Sequence, residues 1–487
     1  MRLAIRLSVL LAVAVAACDT GPPLQPEAGP DAALEAGATS TQASGPVSVT
    51  IDSSDPFEKV SGYTYVEATM HGEGEGEYAV PIVLIYPNDG GNGVGVVDWA
   101  NTATHDFEPP LDEEATAQLT RVTTDGHLFE NEYTYASVQW HKAVTETFGD
   151  EPPEDDHNHL NYGFIEEAPD GFQILRDAAG LLRDPVAHDG PDGLLPVEAV
   201  VSSGFSQTAT LQMEFLTQGE NLVDGELVYD GHLVGAGGFG CNMWVDEFPY
   251  SVPRPLCEGP VQDAPDGSRV MVIATQSDVE AMFLAALSRI DDLEHPEWRQ
   301  YELAGVSHLP QPVFPEVGDE SQNPADFRSV FRAGFHNMAA WTTDGTPPPP
   351  SRFIEGVLQA DGTLATELDA DGNAVGGLRL PHMTKVVNGR EAGAPLGSYT
   401  GLNLAGAPPT TVERILLFLS GTFTPFDDDE LQERYPNPGA YVNRVARAAE
   451  NLLEQGYILE EDKDAYVRDA AQSSIGQPAT GRGGGKH

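Results

Sequence analysis

The chain has 487 residues, 40% hydrophobic and 21% charged, a globular composition with material for a large core and unlike that of disordered protein. Its 76 Asp and Glu outnumber 25 Lys and Arg, for a formal charge of −51, which excludes the clustered basic surface that nucleic-acid binding requires. The same field repels anionic lipid and polyanionic substrates.

The chain opens on Met1, Arg2 and Arg6, followed by an apolar run over residues 7–17 too short to span a bilayer, so residues 1–17 read as a signal peptide. The small residues Val15-Ala16-Ala17 before Cys18 resemble a bacterial lipobox, in which the cysteine is lipidated and becomes the mature N-terminus. Ordinary cleavage near Ala17 is the alternative. Residues 18–46, rich in Gly, Pro, Ala, Ser and Thr, then read as a lipid-anchored flexible linker. The expectation is an exported bacterial lipoprotein at the periplasmic face of a membrane or the cell envelope, with Asp19 resembling an inner-membrane retention signal. Beyond Cys18 only Cys241 and Cys257 remain, in a Gly- and Pro-rich stretch. In an oxidising compartment they are expected to form a disulfide, worth about 3 kcal/mol by loop-closure entropy, leaving no thiol for catalysis.

From residue 47 onward the pattern is β-rich, with residues 78–86 the clearest strand and the acidic, Gly-rich stretch 71–77 a hairpin loop. Apolar runs at 93–99 and 133–140 follow. Residues 173–183 carry apolar side chains at helical spacing and stop at Asp184-Pro185. A strand at 197–201, a helix at 207–218, a buried strand at 269–275 and a short strand at 299–303 continue the alternation. Strands alternating with helices predict a mostly parallel, doubly wound α/β sheet. Residues 368–373 superficially resemble the start of a calcium loop but lack the later glutamate, and read as a β-turn. Residues 438–471 form a helix-rich packing face. Residues 47–474 are expected to be one domain with insertions, and 475–487 a disordered tail.

The informative segment is Val200-Val201-Ser202-Ser203-Gly204-Phe205-Ser206-Gln207-Thr208, an apolar strand running through Gly204 and Ser206 into a helix. In a nucleophile elbow the serine sits on a strained strand-to-helix turn, and small neighbours let the helix pack closely. Gly204 meets that need, while Thr208 replaces the usual second glycine. An N-capping serine is the plainer reading. A serine nucleophile also needs a base and a carboxylate to hold that base. Asp278 lies just past the strand 269–275, where α/β sheets place functional groups, with Glu280 the substitute acid. His308 follows a strand and a Gly turn and is the candidate base. The order Ser206, Asp278, His308 is that of α/β-hydrolases. His105, His127 and His141 sit in polar loop contexts. Asp155, Asp156, His157 and His159 could ligate a metal, but a hydrated acidic loop is favoured, and no metal or other cofactor is expected.

At this point the chain resembles the bacterial, mostly exported "alpha/beta hydrolase domain" proteins, whose elbow is Gly-x-Ser-Gln followed by Ser or Thr. The resemblance runs from about Phe57 to Ala471. It is carried by Val97 to Thr102, Tyr135 to Gln139, the elbow, Val228 to Gly231, Tyr301 to His308, Gly376 to Pro381, Pro395 to Leu404, Gly421 to Phe426, Glu433 to Tyr435 and a final helix with Asp462. It implies an α/β-hydrolase fold with a helical C-terminal extension, and a serine hydrolase with Ser206, Asp278 and His308 as its triad. The family often has Thr-Glu-x-Asp where this chain has Thr275-Gln276-Ser277-Asp278, a departure favouring Asp278 as the acid, because Gln276 cannot carry the charge. The backbone N–H of Gln207 is implied as one oxyanion donor, and Asn101 or Thr102 as the second. Asp230 matches a family motif and is weighed as structural. The expected substrate is a small-molecule carboxylic ester. An amidase, peptidase or acyltransferase with the same triad, or a non-catalytic exported binding protein, are the alternatives.

Overall fold

The computed structural model describes residues 47–57, 60–73, 77–99, 126–138, 140, 171–237, 267–282, 285–309, 322–359, 362–383, 386–387, 390–391, 393–406 and 417–477. The signal peptide, Cys18, the linker 18–46, Asn101, Thr102, His105, His141, Asp155, Asp156, His157, His159, Cys241 and Cys257 lie outside them. Among the described residues no helix is long and apolar enough to cross a membrane.

Nine strands make one sheet: β1 (Ser48–Pro56), β2 (Tyr63–Glu73), β3 (Glu77–Pro87), β4 (Val94–Trp99), β5 (Thr134–Val138), β6 (Ala199–Phe205), β7 (Gly231–Gly235), β8 (Arg269–Thr275) and β9 (Trp298–Leu303). Their spatial order is β1-β2-β3-β5-β4-β6-β7-β8-β9. From β5 to β9 every neighbouring pair is parallel. The first three strands are long antiparallel strands hung on the β5 edge. The pairing of β2 with β3 runs further than the sequence suggests, because His71 and Gly72 pair with Ala79 and Tyr78 and Glu73 pairs with Glu77. The central strands are mostly apolar because helices cover both faces, and every residue of β4 and β6 is buried, Asp98, Ser202 and Ser203 included.

On one face α1 (Gly171–Arg183) packs Ile174, Leu175, Ala178 and Leu182 among Val97, Trp99 and Val200. On the other, α3 (Arg328–Asp344) packs Val330, Phe331, Phe335 and Met338 among Val270 to Ile273. Between them in sequence, α2 (Gln207–Thr217) leaves the C-terminal end of β6. Asp230 Oδ2 accepts from Val200 N at 2.8 Å and from Arg183 Nη2 at 2.7 Å, tying the start of β6 to the end of α1.

The C-terminal part supplies α4 (Asp428–Arg434), α5 (Pro438–Glu454) and α6 (Glu460–Gln472). Helix α6 docks on α3 through the buried Asp462 carboxylate, which accepts from Arg332 Nε at 2.8 Å, and through Tyr466 and Ser329, whose hydroxyls are 2.9 Å apart. One core cluster runs from Phe57 to Ile458, so this extension belongs to the same core. The stretch 368–373 is a turn, closed by Asn373 O accepting from Asp369 N at 2.8 Å. Order continues slightly past 474, where Ile475 packs beside Tyr435 and Ala470; residues 478–487 lie outside the described set.

Candidate active site

Strand β6 ends at Phe205 and α2 begins at Gln207, so Ser206 alone makes the turn between them. It does so at φ 58° and ψ −115°, a conformation that L-residues occupy only when their surroundings impose it. The surroundings here are close packing. A Cβ on Gly204 would stand 2.9 Å from the carbonyl carbon of Thr208 and 3.0 Å from Ala209 N, so only glycine lets α2 fold back so near its strand. Thr208, which stands in place of the usual second glycine, has its own use. Its Oγ1 accepts from Phe205 N at 2.9 Å and donates to Phe205 O at 3.1 Å, closing both backbone groups of the residue before the serine.

The residues proposed from sequence are brought together at the C-terminal edge of the parallel strands. Ser206 Oγ is 3.0 Å from His308 Nε2, and His308 Nδ1 is 2.7 Å from Asp278 Oδ1. All are nearly buried, at 7% exposure for Ser206, 1% for His308 and 0% for Asp278. An ionised carboxylate only accepts, so His308 carries its proton on Nδ1 and turns the Nε2 lone pair toward the serine hydroxyl. The other carboxylate oxygen of Asp278 accepts from Thr275 N and Thr275 Oγ1, both at 2.7 Å. Asp278 thus caps the chain leaving β8 and orients His308 at once. The substitute acid faces elsewhere. Glu280 Oε1 accepts from Gln276 Nε2 at 2.6 Å and from Thr366 Oγ1 at 2.9 Å, and burial pushes its carboxyl above the usual range.

Phe205 sits 5.5 Å from the His308 ring, with Phe327 and Phe331 behind it, so the imidazole rests on an apolar wall. Gln207 opens the eleven-residue α2, where a backbone N–H has no acceptor within the helix and the positive end of the helix dipole lies beside Ser206. Asn101 and Thr102, proposed for the second oxyanion donor, lie outside the described residues, as does the cysteine pair.

Sequence reasoning missed the residues that hold the turn carrying His308. Gly305, at φ 70°, donates its N–H to a side chain, Gln276 Oε1, at 2.7 Å. The Gly305 carbonyl accepts from Asn323 Nδ2 at 3.0 Å, and the same amide reaches Thr400 O at 2.9 Å. His382, packed on Tyr399 at 4.7 Å, also bonds the Gly305 backbone, while burial lowers its pKa to about 4. Asn323 and His382 stand in loops without periodicity, so nothing in the sequence singles them out.

Behind the elbow, Gln212 Nε2 donates to Ser202 Oγ at 2.7 Å, and the same hydroxyl is hydrogen-bonded to His232 Nδ1 at 2.7 Å. Burial holds that imidazole neutral, its pKa lowered to about 3. Among the described residues no group of three or more His, Cys, Asp or Glu side chains could hold a metal ion. His127, read from sequence as a polar-loop histidine, is instead buried on a single helical turn, because Leu128 and Phe129 beside it pack into the core, and its Nδ1 is 3.7 Å from Glu461.

No curated protein sequence matches the chain. Among solved structures it is similar to an esterase of Pyrococcus furiosus, at 10% identity and a TM-score of 0.28 over 49% of this chain and 82% of that one. A glucuronoyl esterase from Teredinibacter turnerae is similar at 12% identity and a TM-score of 0.29, over 51% and 68%. Acetyl xylan esterase 1 from a Thermoanaerobacterium species is similar at 10% identity and 0.28, over 52% and 79%. The family described as "Alpha/beta hydrolase domain" matches residues 59–468, most of the chain, and with that fold and that strand-edge site the chain belongs to the alpha/beta hydrolase domain family.

Proposed function

We propose that this protein is a serine hydrolase acting on carboxylic esters through an acyl-enzyme on Ser206. The observation that carries the reading is the continuous chain Ser206 Oγ to His308 Nε2 at 3.0 Å and His308 Nδ1 to Asp278 Oδ1 at 2.7 Å, at a turn whose serine is held at positive φ. Ser206 Oγ attacks the ester carbonyl as His308 Nε2 takes its proton, and Asp278 stabilises the imidazolium. The Gln207 N–H donates to the oxyanion. Collapse of the tetrahedral intermediate expels the alcohol, protonated by His308. Water, deprotonated by the same nitrogen, then attacks the acyl-enzyme, releasing the acid and restoring Ser206. The strongly acidic composition favours neutral or cationic substrates over polyanions.

The test is labelling of the purified protein with a fluorophosphonate probe and turnover of a p-nitrophenyl ester series, with Ser206→Ala as control. Labelling and turnover that vanish in the variant support the reading. A folded wild-type protein that is not labelled overturns it in favour of a binding protein, and product analysis with amine and alcohol acceptors separates hydrolysis from acyl transfer. The N-terminal features support export and attachment through lipidated Cys18; palmitate labelling lost in Cys18→Ser is the corresponding test.

A further inference from the structure

Two turns must hold register for His308 to stand between Ser206 and Asp278: the one after β8 that carries the acid, and the one after β9 that carries the base. One side chain joins them. Gln276, the residue after β8, gives its backbone N–H to Val306 O at 3.1 Å and accepts the Gly305 N–H on Oε1 at 2.7 Å. Its other end, Nε2, donates to Glu280 Oε1 at 2.6 Å, the oxygen that also accepts from Thr366 Oγ1 of the hairpin Gly356–Leu358 and Leu364–Thr366. Gln276 is 2% exposed, so its own amide is shielded from bulk water. Donor and acceptor needs leave the amide one orientation: Oε1 must meet an N–H, and Nε2 must meet an acceptor, which Glu280 Oε1 is whether or not the carboxyl is protonated.

We infer that Gln276 is a positioning residue for the base, a strut that Glu280 holds in one orientation so that its Oε1 fixes Gly305 and, three residues on, the imidazole of His308. The inference rests on the serine-hydrolase reading of the same site. It assigns Glu280 a function distinct from that of a spare acid: it is the anchor of the strut. The two residues form a matched donor–acceptor pair, and the pairing has a direction that an exchange experiment can read. A glutamate at 276 places two carboxyl groups 2.6 Å apart, a spacing that holds only while they share a proton. A glutamine at 280 facing that glutamate restores one N–H between them, with a carboxylate oxygen still available to Gly305.

The experiment compares wild type, Gln276→Glu, Gln276→Met and the exchange Gln276→Glu with Glu280→Gln. The readouts are kcat and KM on a p-nitrophenyl ester across pH, fluorophosphonate labelling rate, and thermal melting. Gln276→Met and Gln276→Glu are expected to lower kcat about 10- to 100-fold with KM changed little, the scale of loss for a displaced catalytic group. The Gln276→Glu defect is expected to grow as pH rises and the shared proton leaves, relative to wild type at the same pH. The exchange variant is expected to recover most of kcat and to lose that added pH dependence, a coupling between neighbours that independent sites lack. Folded Gln276→Glu and Gln276→Met proteins with wild-type kcat and labelling rate overturn the inference. So does an exchange variant no better than Gln276→Glu alone. Wild type that is neither labelled nor active instead fails the serine-hydrolase reading, so the two failures are distinct.

Discussion

Thr208 and Phe205 are joined through one hydroxyl: Thr208 Oγ1 lies 2.9 Å from Phe205 N and 3.1 Å from Phe205 O, accepting from the first and donating to the second. Both backbone groups belong to the residue that precedes the strained serine, and both lie in the protein interior. Replacing the hydroxyl by a methyl in Thr208→Val removes both bonds at nearly constant volume. The expected cost is about 0.5–1.5 kcal/mol for each hydrogen bond lost, read as a lower melting temperature. An unchanged melting temperature contradicts the role given to the hydroxyl.

The backbone of Ser206 carries strain that glycine does not feel, since φ 58° costs an L-residue but not glycine. Ser206→Gly and Ser206→Ala are both expected to be inactive. The glycine variant is expected to be the more stable of the two by about 1 kcal/mol, because relief of the strained backbone outweighs the extra freedom of the unfolded chain. Calorimetry of the two variants side by side makes the comparison, and equal stability removes the argument for stored strain.

The two carboxylates near the end of β8 are separable by mutation. Asp278→Asn keeps the shape but presents His308 with an amide that cannot stabilise an imidazolium, and kcat is expected to fall on the order of 10⁴-fold. Glu280→Gln keeps an acceptor for Gln276 and Thr366 and is expected to cost far less. Steady-state kinetics on the two variants checks the order, and the reverse order makes Glu280 the acid.

Buried histidines set the acid side of the stability profile. Burial lowers His232 to about 3 and His127 to about 4, so the folded protein keeps both neutral where the unfolded chain, near the ordinary 6.5, takes up protons. Stability is therefore full above about pH 6.5 and is lost as pH falls toward the folded values, at about 1.4 kcal/mol per pH unit for each such group. His232→Asn retains a polar atom facing Ser202 and is expected to flatten that slope by one group. Urea unfolding between pH 7.5 and pH 5 measures it, and parallel slopes for variant and wild type exclude a contribution from His232.

Local order was legible in the amino acids alone. The apolar stretches of β4, β6 and β8 reflect helices covering both faces, and such short stretches are visible in any sequence. The Gly204 and Ser206 turn was legible because a helix cannot approach its own strand past a side chain. The chain order of Ser206, Asp278 and His308 followed from the same run of strands and turns. The choice between Asp278 and Glu280 was not legible, since both follow β8 within a few residues and only the direction of the chain through its helical turn aims one at His308. Nor were Gln276 and Asn323, whose importance is a matter of what stands opposite: Gly305, 29 and 18 residues away in sequence. Periodicity and turn chemistry are properties of neighbours along the chain and survive in the sequence. Hydrogen bonds between turns on separate strands depend on sheet order, which puts β7 and β8 beside one another and β9 at the edge, and that order exists only once the chain has folded.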